Sequence, residues 1–174
     1  MRKLVILTGG ACCGKTTMYK KIAERLEGAP GFVCASTDWS WKGDLNYRKE
    51  CFEKWLAKYS KATALFLESY YCITPTFEVL YDHAYDINLT VVCLTQSPEQ
   101  AMEKLKVRRL KSSNIFGRGL SEQPGNVKMA TGEIHLRQLD RVASLYEHKL
   151  IVHQWDAWNN SDKLENIIVK RLGY

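Results

Sequence analysis

The chain has 174 residues, a length that points to one domain, 1–174, with room for a buried core. Its 45% hydrophobic content is that of a globular protein and excludes a disordered or fibrous chain, and no apolar run approaches the ~20 residues that a bilayer-spanning helix needs. The formal net charge of +6 is concentrated: Lys104, Lys106, Arg108, Arg109, Lys111, Arg118 and Lys128 stand against the single acid Glu122, so that residues 104–128 carry the whole excess. A single basic segment on a neutral body suggests a docked polyanion; a solvated helix face is the plainer alternative.

Met1-Arg2-Lys3 leads into the run Leu4 to Leu7, too short for a signal-peptide core and followed at once by Gly9, so a cytoplasmic protein is expected, with no membrane partner. Lys3 to Thr8 reads as a buried strand. Lys15 to Glu27 has helical spacing, with Met18, Ile22 and Leu26 on one face, and Gly28-Ala29-Pro30-Gly31 stops it. Phe32 to Ser36 is a second strand. Asn46 to Tyr59 is a helix with Phe52, Trp55 and Leu56 inward. Thr63 to Glu68 is a third strand, Pro75 to Tyr85 a helix, and Leu89 to Leu94 a fourth strand.

Ser97 is the expected cap of the next helix, with Pro98 at its first position and Glu99 in its first turn, and the helix runs to about Leu110. Ser112 to Asn126, with Gly117, Gly119, Pro124 and Gly125, reads as a loop. Met129 to His148 reads as one long helix, Leu150 to Gln154 as a fifth strand, and a last helix runs from a cap at Ser161 to Leu172. Continuous apolar strands alternating with helices predict an α/β fold, a five-stranded parallel sheet covered on both faces. The six cysteines, Cys12, Cys13, Cys34, Cys51, Cys72 and Cys93, form no C-x-x-C pair, so a zinc site is not expected.

Gly9-Gly10-Ala11-Cys12-Cys13-Gly14-Lys15-Thr16 matches G-x-x-x-x-G-K-[ST] at every position and lies between the first strand and the first helix. The glycines let backbone N–H groups turn around phosphate oxygens, and the helix adds its positive end. Lys15 is placed to reach β- and γ-phosphates and the Thr16 hydroxyl to bind Mg²⁺; Thr17 completes the nucleotide-binding set. ATP and Mg²⁺ are the expected cofactors. No N-K-x-D motif for guanine is present.

At this size, the layout resembles the P-loop nucleotide and polynucleotide kinases. Pro30-Gly31-Phe32-Val33-Cys34-Ala35-Ser36-Thr37-Asp38 resembles the strand of the phage polynucleotide kinase group that ends in the general base, which implies that role, and acceptor contact, for Asp38. A carboxylate there can also accept the proton of an attacking hydroxyl on physical grounds; a turn or helix-cap Asp is the alternative. The group continues with a second acid and an Arg, where this chain has Trp39 and Trp41. The missing Arg argues against ordinary 5′-end recognition, and the tryptophans argue for stacking on a planar group. Glu68, closing the third strand, is a candidate for the metal or the acceptor, and Tyr70 and Tyr71 follow where the group binds its acceptor. Lys104-Leu105-Lys106-Val107-Arg108 resembles the R-L-x-x-R that opens the lid, here about 104–128, and implies that Arg108, with Arg109 and Arg118 as further candidates, closes over the phosphates. The resemblance also places the adenine loop at Trp155 to Asn160. It covers the whole chain in layout, but in motifs only these stretches.

Two enzymatic readings stay open. One is a kinase acting on nucleic acid, DNA rather than RNA, with the hydroxymethyl group of 5-hydroxymethyluracil in DNA as one acceptor; such an enzyme presents its base out of the stack. The other is a kinase for a nucleoside, nucleotide or other small metabolite. A non-catalytic nucleotide switch or DNA-binding module is the third.

Overall fold

A computed structural model describes residues 1–37, 43–69, 78–80, 86–111, 124–143 and 150–174. In chain order these form β1 (Arg2–Gly9), α1 (Lys15–Arg25), β2 (Phe32–Ser36), α2 (Leu45–Lys58), β3 (Ala64–Glu68), β4 (Ile87–Thr95), α3 (Pro98–Lys111), α4 (Pro124–Ala130), α5 (Glu133–Ala143), β5 (Leu150–Asp156) and α6 (Ser161–Leu172). The strands make one sheet in the order β2-β3-β1-β4-β5, every pair parallel.

Strand alternation divides the apolar residues between two layers. Leu4, Ile6, Leu65, Leu67, Val91 and Cys93 face Phe52, Trp55 and Leu56 of α2 and Leu139 of α5. Val5, Leu7, Phe66, Val92 and Leu94 face Met18 and Ile22 of α1 and Leu164, Ile168 and Leu172 of α6. Both faces are therefore dry, and a parallel sheet built from continuous apolar strands needs that cover. Full burial of a side chain such as Ile22 or Phe52 contributes about 1.5–3 kcal/mol.

Local chemistry sets the helix ends. The Asp44 carboxylate accepts from the Tyr47 N–H at 2.8 Å and opens α2. At α3 the Ser97 Oγ accepts from the Gln100 N–H at 3.2 Å, and the Gln100 Oε1 accepts from the Ser97 N–H at 3.0 Å. That reciprocal pair satisfies two first-turn donors, with Pro98 already at the helical φ. The cap of α6 is Asn160 rather than Ser161: its Oδ1 accepts from the Asp162 N–H at 2.9 Å.

Two expectations are corrected after α3. Pro124-Gly125-Asn126, read as the end of a loop, is the first turn of α4; proline suits an opening position because its missing N–H has no intrahelical partner there. The helix expected from Met129 to His148 is interrupted at Thr131-Gly132. Gly132 has φ +82°, a left-handed turn that ends α4. The Thr131 hydroxyl then accepts from the Glu133 N–H at 3.4 Å as α5 begins. Of the helix expected over Pro75 to Tyr85, only 78–80 are described, and they are helical. The stretch 112–123, which holds most of the expected loop, lies outside the described residues.

Candidate functional site

The register brings Leu7, Glu68 and Ser36 side by side at the carboxyl ends of β1, β3 and β2. The chain leaves β1 there and turns through 9–14 before α1 begins at Lys15. Within that turn Cys12 has φ +62°, the one non-glycine residue with positive φ among those described. Gly14 precedes α1 with no side-chain cap, and the N-terminal end of a helix favours an anion.

Lys15 is buried, and its Nζ donates to the Gly9 carbonyl at 3.0 Å and to the Gly10 carbonyl at 2.7 Å. Thr16, one residue on, reaches the end of β3. Its Oγ1 donates to Glu68 Oε1 at 2.7 Å, while Ser36 Oγ donates to Glu68 Oε2 at 2.9 Å. Thr37 Oγ1 adds a bond to the Glu68 carbonyl at 3.1 Å. Glu68 is 0% exposed; a buried carboxylate is tolerable because hydroxyl donors serve both of its oxygens. Of this group, Lys15, Thr16 and Glu68 are candidates named from the sequence. Ser36 and Thr37 are not, although they stand beside Asp38, and two consecutive hydroxyls closing an apolar strand are the signal that identifies them.

The opposite flank of the loop is held by backbone. A Cβ on Gly10 would lie 2.0 Å from the Ala130 carbonyl oxygen and 2.7 Å from the Gly132 N, so only glycine fits. A Cβ on Gly132 would in turn lie 2.5 Å from the Leu94 carbonyl oxygen. The Gly10 N–H donates to Leu94 O at 3.3 Å, and the Gln96 N–H donates to Thr131 O at 3.1 Å. The Gln96 side chain, 7% exposed, donates from Nε2 to Ala130 O at 2.8 Å and to Ala11 O at 3.2 Å. Its Oε1 is buried with no protein partner among the described residues. The Cys13 Sγ also donates to Ala130 O, at 3.3 Å. Burial pushes the Cys13 thiol up to about 11, against the weaker opposing pull of the Lys15 charge, and burial pushes Cys93 up to about 12. Both are protonated, poorly nucleophilic thiols at neutral pH.

Helix α3 lies over the loop. The Arg108 Nη1 donates to Cys12 Sγ at 3.4 Å, and the Lys104 Nζ sits 4.9 Å from the ring centroid of Trp158, a cation–π contact. Beside the loop, between α1 and the β5–α6 connection, opens a cleft of about 200 Å³. Met18, Leu94, Trp155 and Leu164 give it apolar walls, and Thr17, Lys21, Asn159 and Ser161 give it polar edges, a lining suited to a planar ring with hydrogen-bonding edges. Trp155, Ala157 and Asn159 come from the segment expected to form the adenine loop.

The structure thus brings together Gly9, Gly10, Ala11, Cys12, Cys13, Gly14, Lys15, Thr16, Thr17, Glu68 and Arg108. Asp38, Trp39, Trp41, Tyr70, Tyr71, Arg118 and the side chain of Arg109 lie outside the described residues. Among the described residues no helix is long and apolar enough to cross a membrane.

The sequence matches no protein-family model and no curated protein. Solved structures do match along the whole chain. The YorR protein of Bacillus subtilis, in complex with phosphorylated GDP, shares 17% identity at a TM-score of 0.53, covering 96% of this chain and 94% of its own. A sugar kinase of Janibacter sp. shares 13% identity at a TM-score of 0.59, covering 99% and 95%. The tunicamycin resistance protein of Deinococcus radiodurans shares 14% identity at 0.56, covering 99% and 96%. At these identities the likeness concerns the fold alone, an α/β fold with a parallel sheet between helices.

Proposed function

We propose that the chain is a kinase that transfers the γ-phosphoryl group of Mg-ATP to a hydroxyl group carried by a nucleic acid. The observation that carries the kinase reading is the Lys15–Thr16–Glu68 arrangement. A buried ammonium and an oxygen-lined corner stand together at the start of α1. Phosphoryl transfer asks the protein mainly for positioning and charge stabilisation, and these groups supply both. Lys15 leaves the Gly9 and Gly10 carbonyls for the β- and γ-phosphate oxygens. Arg108 stabilises the charge that develops on the transferring group.

The corner at Thr16 and Glu68 fits Mg²⁺. Its donors are hard oxygens, few in number, as suits an ion that keeps several waters and takes its other ligands from phosphates. Thr16 and Glu68 would hold the ion and Ser36 would fix the second oxygen of the carboxylate; the chemistry supplied there would be neutralisation of phosphate charge. Asp38 follows Thr37, whose hydroxyl is bound to the Glu68 carbonyl; it is the proposed base for the acceptor hydroxyl. Trp39, Trp41, Tyr70 and Tyr71 are the proposed contacts of a planar acceptor, and the basic segment 104–128 the proposed contact of its phosphates.

The second reading, a small-molecule acceptor, is favoured by the whole-chain likeness to a sugar kinase. One experiment separates the two: transfer from γ-labelled ATP with Mg²⁺, offered side by side to 5′-hydroxyl DNA, 5′-hydroxyl RNA, DNA containing 5-hydroxymethyluracil, free nucleosides and simple sugars. Label in a polymer supports the nucleic-acid reading, and nuclease digestion places it on a terminus or a base. Label in monomers alone replaces it with a metabolite kinase. No transfer from ATP to any acceptor overturns the kinase reading.

A further inference from the structure

We infer that Gln96 is a positioning residue for phosphate binding: its side-chain amide presets the Cys12 N–H of the loop and ties the loop to the turn between α4 and α5. The inference rests on the reading of the loop as a nucleotide site.

The first observation is where the amide points. Gln96 Nε2 donates to two carbonyls that belong to different parts of the chain, Ala11 in the loop and Ala130 at the end of α4. Both partners are acceptors, so the amide orientation is fixed by them: Nε2 must face the carbonyls and Oε1 must face away. The peptide unit is planar and trans, so the carbonyl of Ala11 and the N–H of Cys12 point in opposite directions. Holding the Ala11 carbonyl outward against Gln96 therefore directs the Cys12 N–H inward, toward the side on which a phosphate oxygen sits. The same logic applies one residue earlier. Lys15 holds the Gly10 carbonyl, but it must release that bond to reach a ligand, whereas Gln96 has no such second task.

The second observation is what the side chain gives up. Its Oε1 is buried with no protein partner among the described residues. An apolar residue of similar volume would fill the space without that orphan acceptor. The amide is therefore there for its two donated bonds.

The third is the close approach around it. Gly10 and Gly132 leave no space for a Cβ between the loop, Ala130 and Leu94, and Ala11, Ala101, Leu105 and Ala130 form a small apolar cluster of their own. A shift of the Ala130 carbonyl, at the end of α4, is thus felt at Ala11 through the Gln96 side chain. Gln96 lies at the end of β4, outside the phosphate-loop motif, and the motif gives no reason to expect it.

The test compares wild type, Gln96→Met and Gln96→Asn. Methionine keeps the volume and removes both donors; asparagine keeps the amide but withdraws it by one methylene. Titration gives the Kd for ATP. Competition against labelled ATP gives the Kd for adenosine, which fits the base cleft and carries no phosphate. The expected result is an ATP affinity about tenfold weaker in Gln96→Met and a smaller loss in Gln96→Asn, with adenosine affinity unchanged in both. A folded variant that binds ATP as wild type does, or that loses ATP and adenosine equally, overturns the inference. Failure of both variants to fold assigns Gln96 to the fold alone and overturns it as well. If wild type itself binds no ATP, the nucleotide-site reading fails, a result distinct from any of these.

Discussion

The two flanks of the phosphate loop are built by different means. Toward β2 and β3 the loop meets side chains, the Thr16 and Ser36 hydroxyls on the Glu68 carboxylate. Toward β4 and α4 it meets backbone, with Gly10 so close to Ala130 and Gly132 that no Cβ fits between them. A hydroxyl–carboxylate contact can be exchanged, atom for atom, for a contact with a ligand. A backbone contact without space cannot. The first flank is suited to chemistry and the second to holding the loop in shape, and substitutions on the two sides should fail in different ways.

The largest effect is expected at the residue between the flanks. Lys15→Ala removes the ammonium from the phosphates and should lower transfer from ATP by about 10³-fold, with circular dichroism showing an intact fold. If transfer persists near the wild-type rate, the loop is not the site. Gly10→Ala tests the backbone flank. Its new Cβ meets the Ala130 carbonyl, so a destabilisation of about 3 kcal/mol is expected, read as a fall in denaturant midpoint. A variant as stable as wild type would mean that the flank can open, and would erase the contrast.

Glu68→Gln tests the other flank and should fail chemically. The amide keeps the volume but loses the charge, so half-maximal activity should need about tenfold more Mg²⁺, while the denaturant midpoint changes less than for Gly10→Ala. An unchanged Mg²⁺ requirement would remove the metal from this corner. The smallest effect is a pH slope. The Cys13 thiol titrates near 11 when folded against an ordinary value of 9.0, so its contribution is complete below pH 9 and is lost as the pH rises through 11. Cys13→Ala should flatten the decline of stability over that interval by about 2 kcal/mol or less. Equal slopes in melts of the two proteins would place the thiol in contact with water.

The same contrast explains what could be read in advance. A strand such as Ala64–Glu68, buried along its whole length, is legible because a strand buried on both faces is apolar nearly throughout, and such runs are short and bounded. The chemical flank is legible for a related reason. Lys15 and Thr16 sit in a motif whose spacing is dictated by phosphate geometry, and Glu68 closes an apolar run with a charge. The backbone flank is not. Gly132 meets Gly10 across more than a hundred residues of chain, and no local pattern records such a meeting. A Thr-Gly pair within helical spacing reads as a tolerated interruption, so Met129 to His148 resembles one helix until tertiary contact shows why the break is needed. Gln96 is missed likewise, since its two partners, Ala11 and Ala130, are main-chain atoms, and main-chain atoms look alike at every position. Asn160 displaces Ser161 as a cap by a shift of one residue, within the usual ambiguity of helix ends.

The lysine folded back on the Gly9 and Gly10 carbonyls has a thermodynamic consequence. Bonded to those two carbonyls, the ammonium is a guest in its own host, a cation solvated by main-chain oxygens. On the proposed reading, nucleotide affinity would measure an exchange, not a capture: carbonyl contacts given up for phosphate contacts, with the ammonium bonded before and after. Such a swap tempers the affinity for any anion too weak to draw the lysine away. A lone chloride or carboxylate would gain little from it, whereas a polyphosphate, offering several oxygens at once, gains enough. If the loop holds a nucleotide as proposed, this self-competition would filter its visitors by charge density before any specific contact is made.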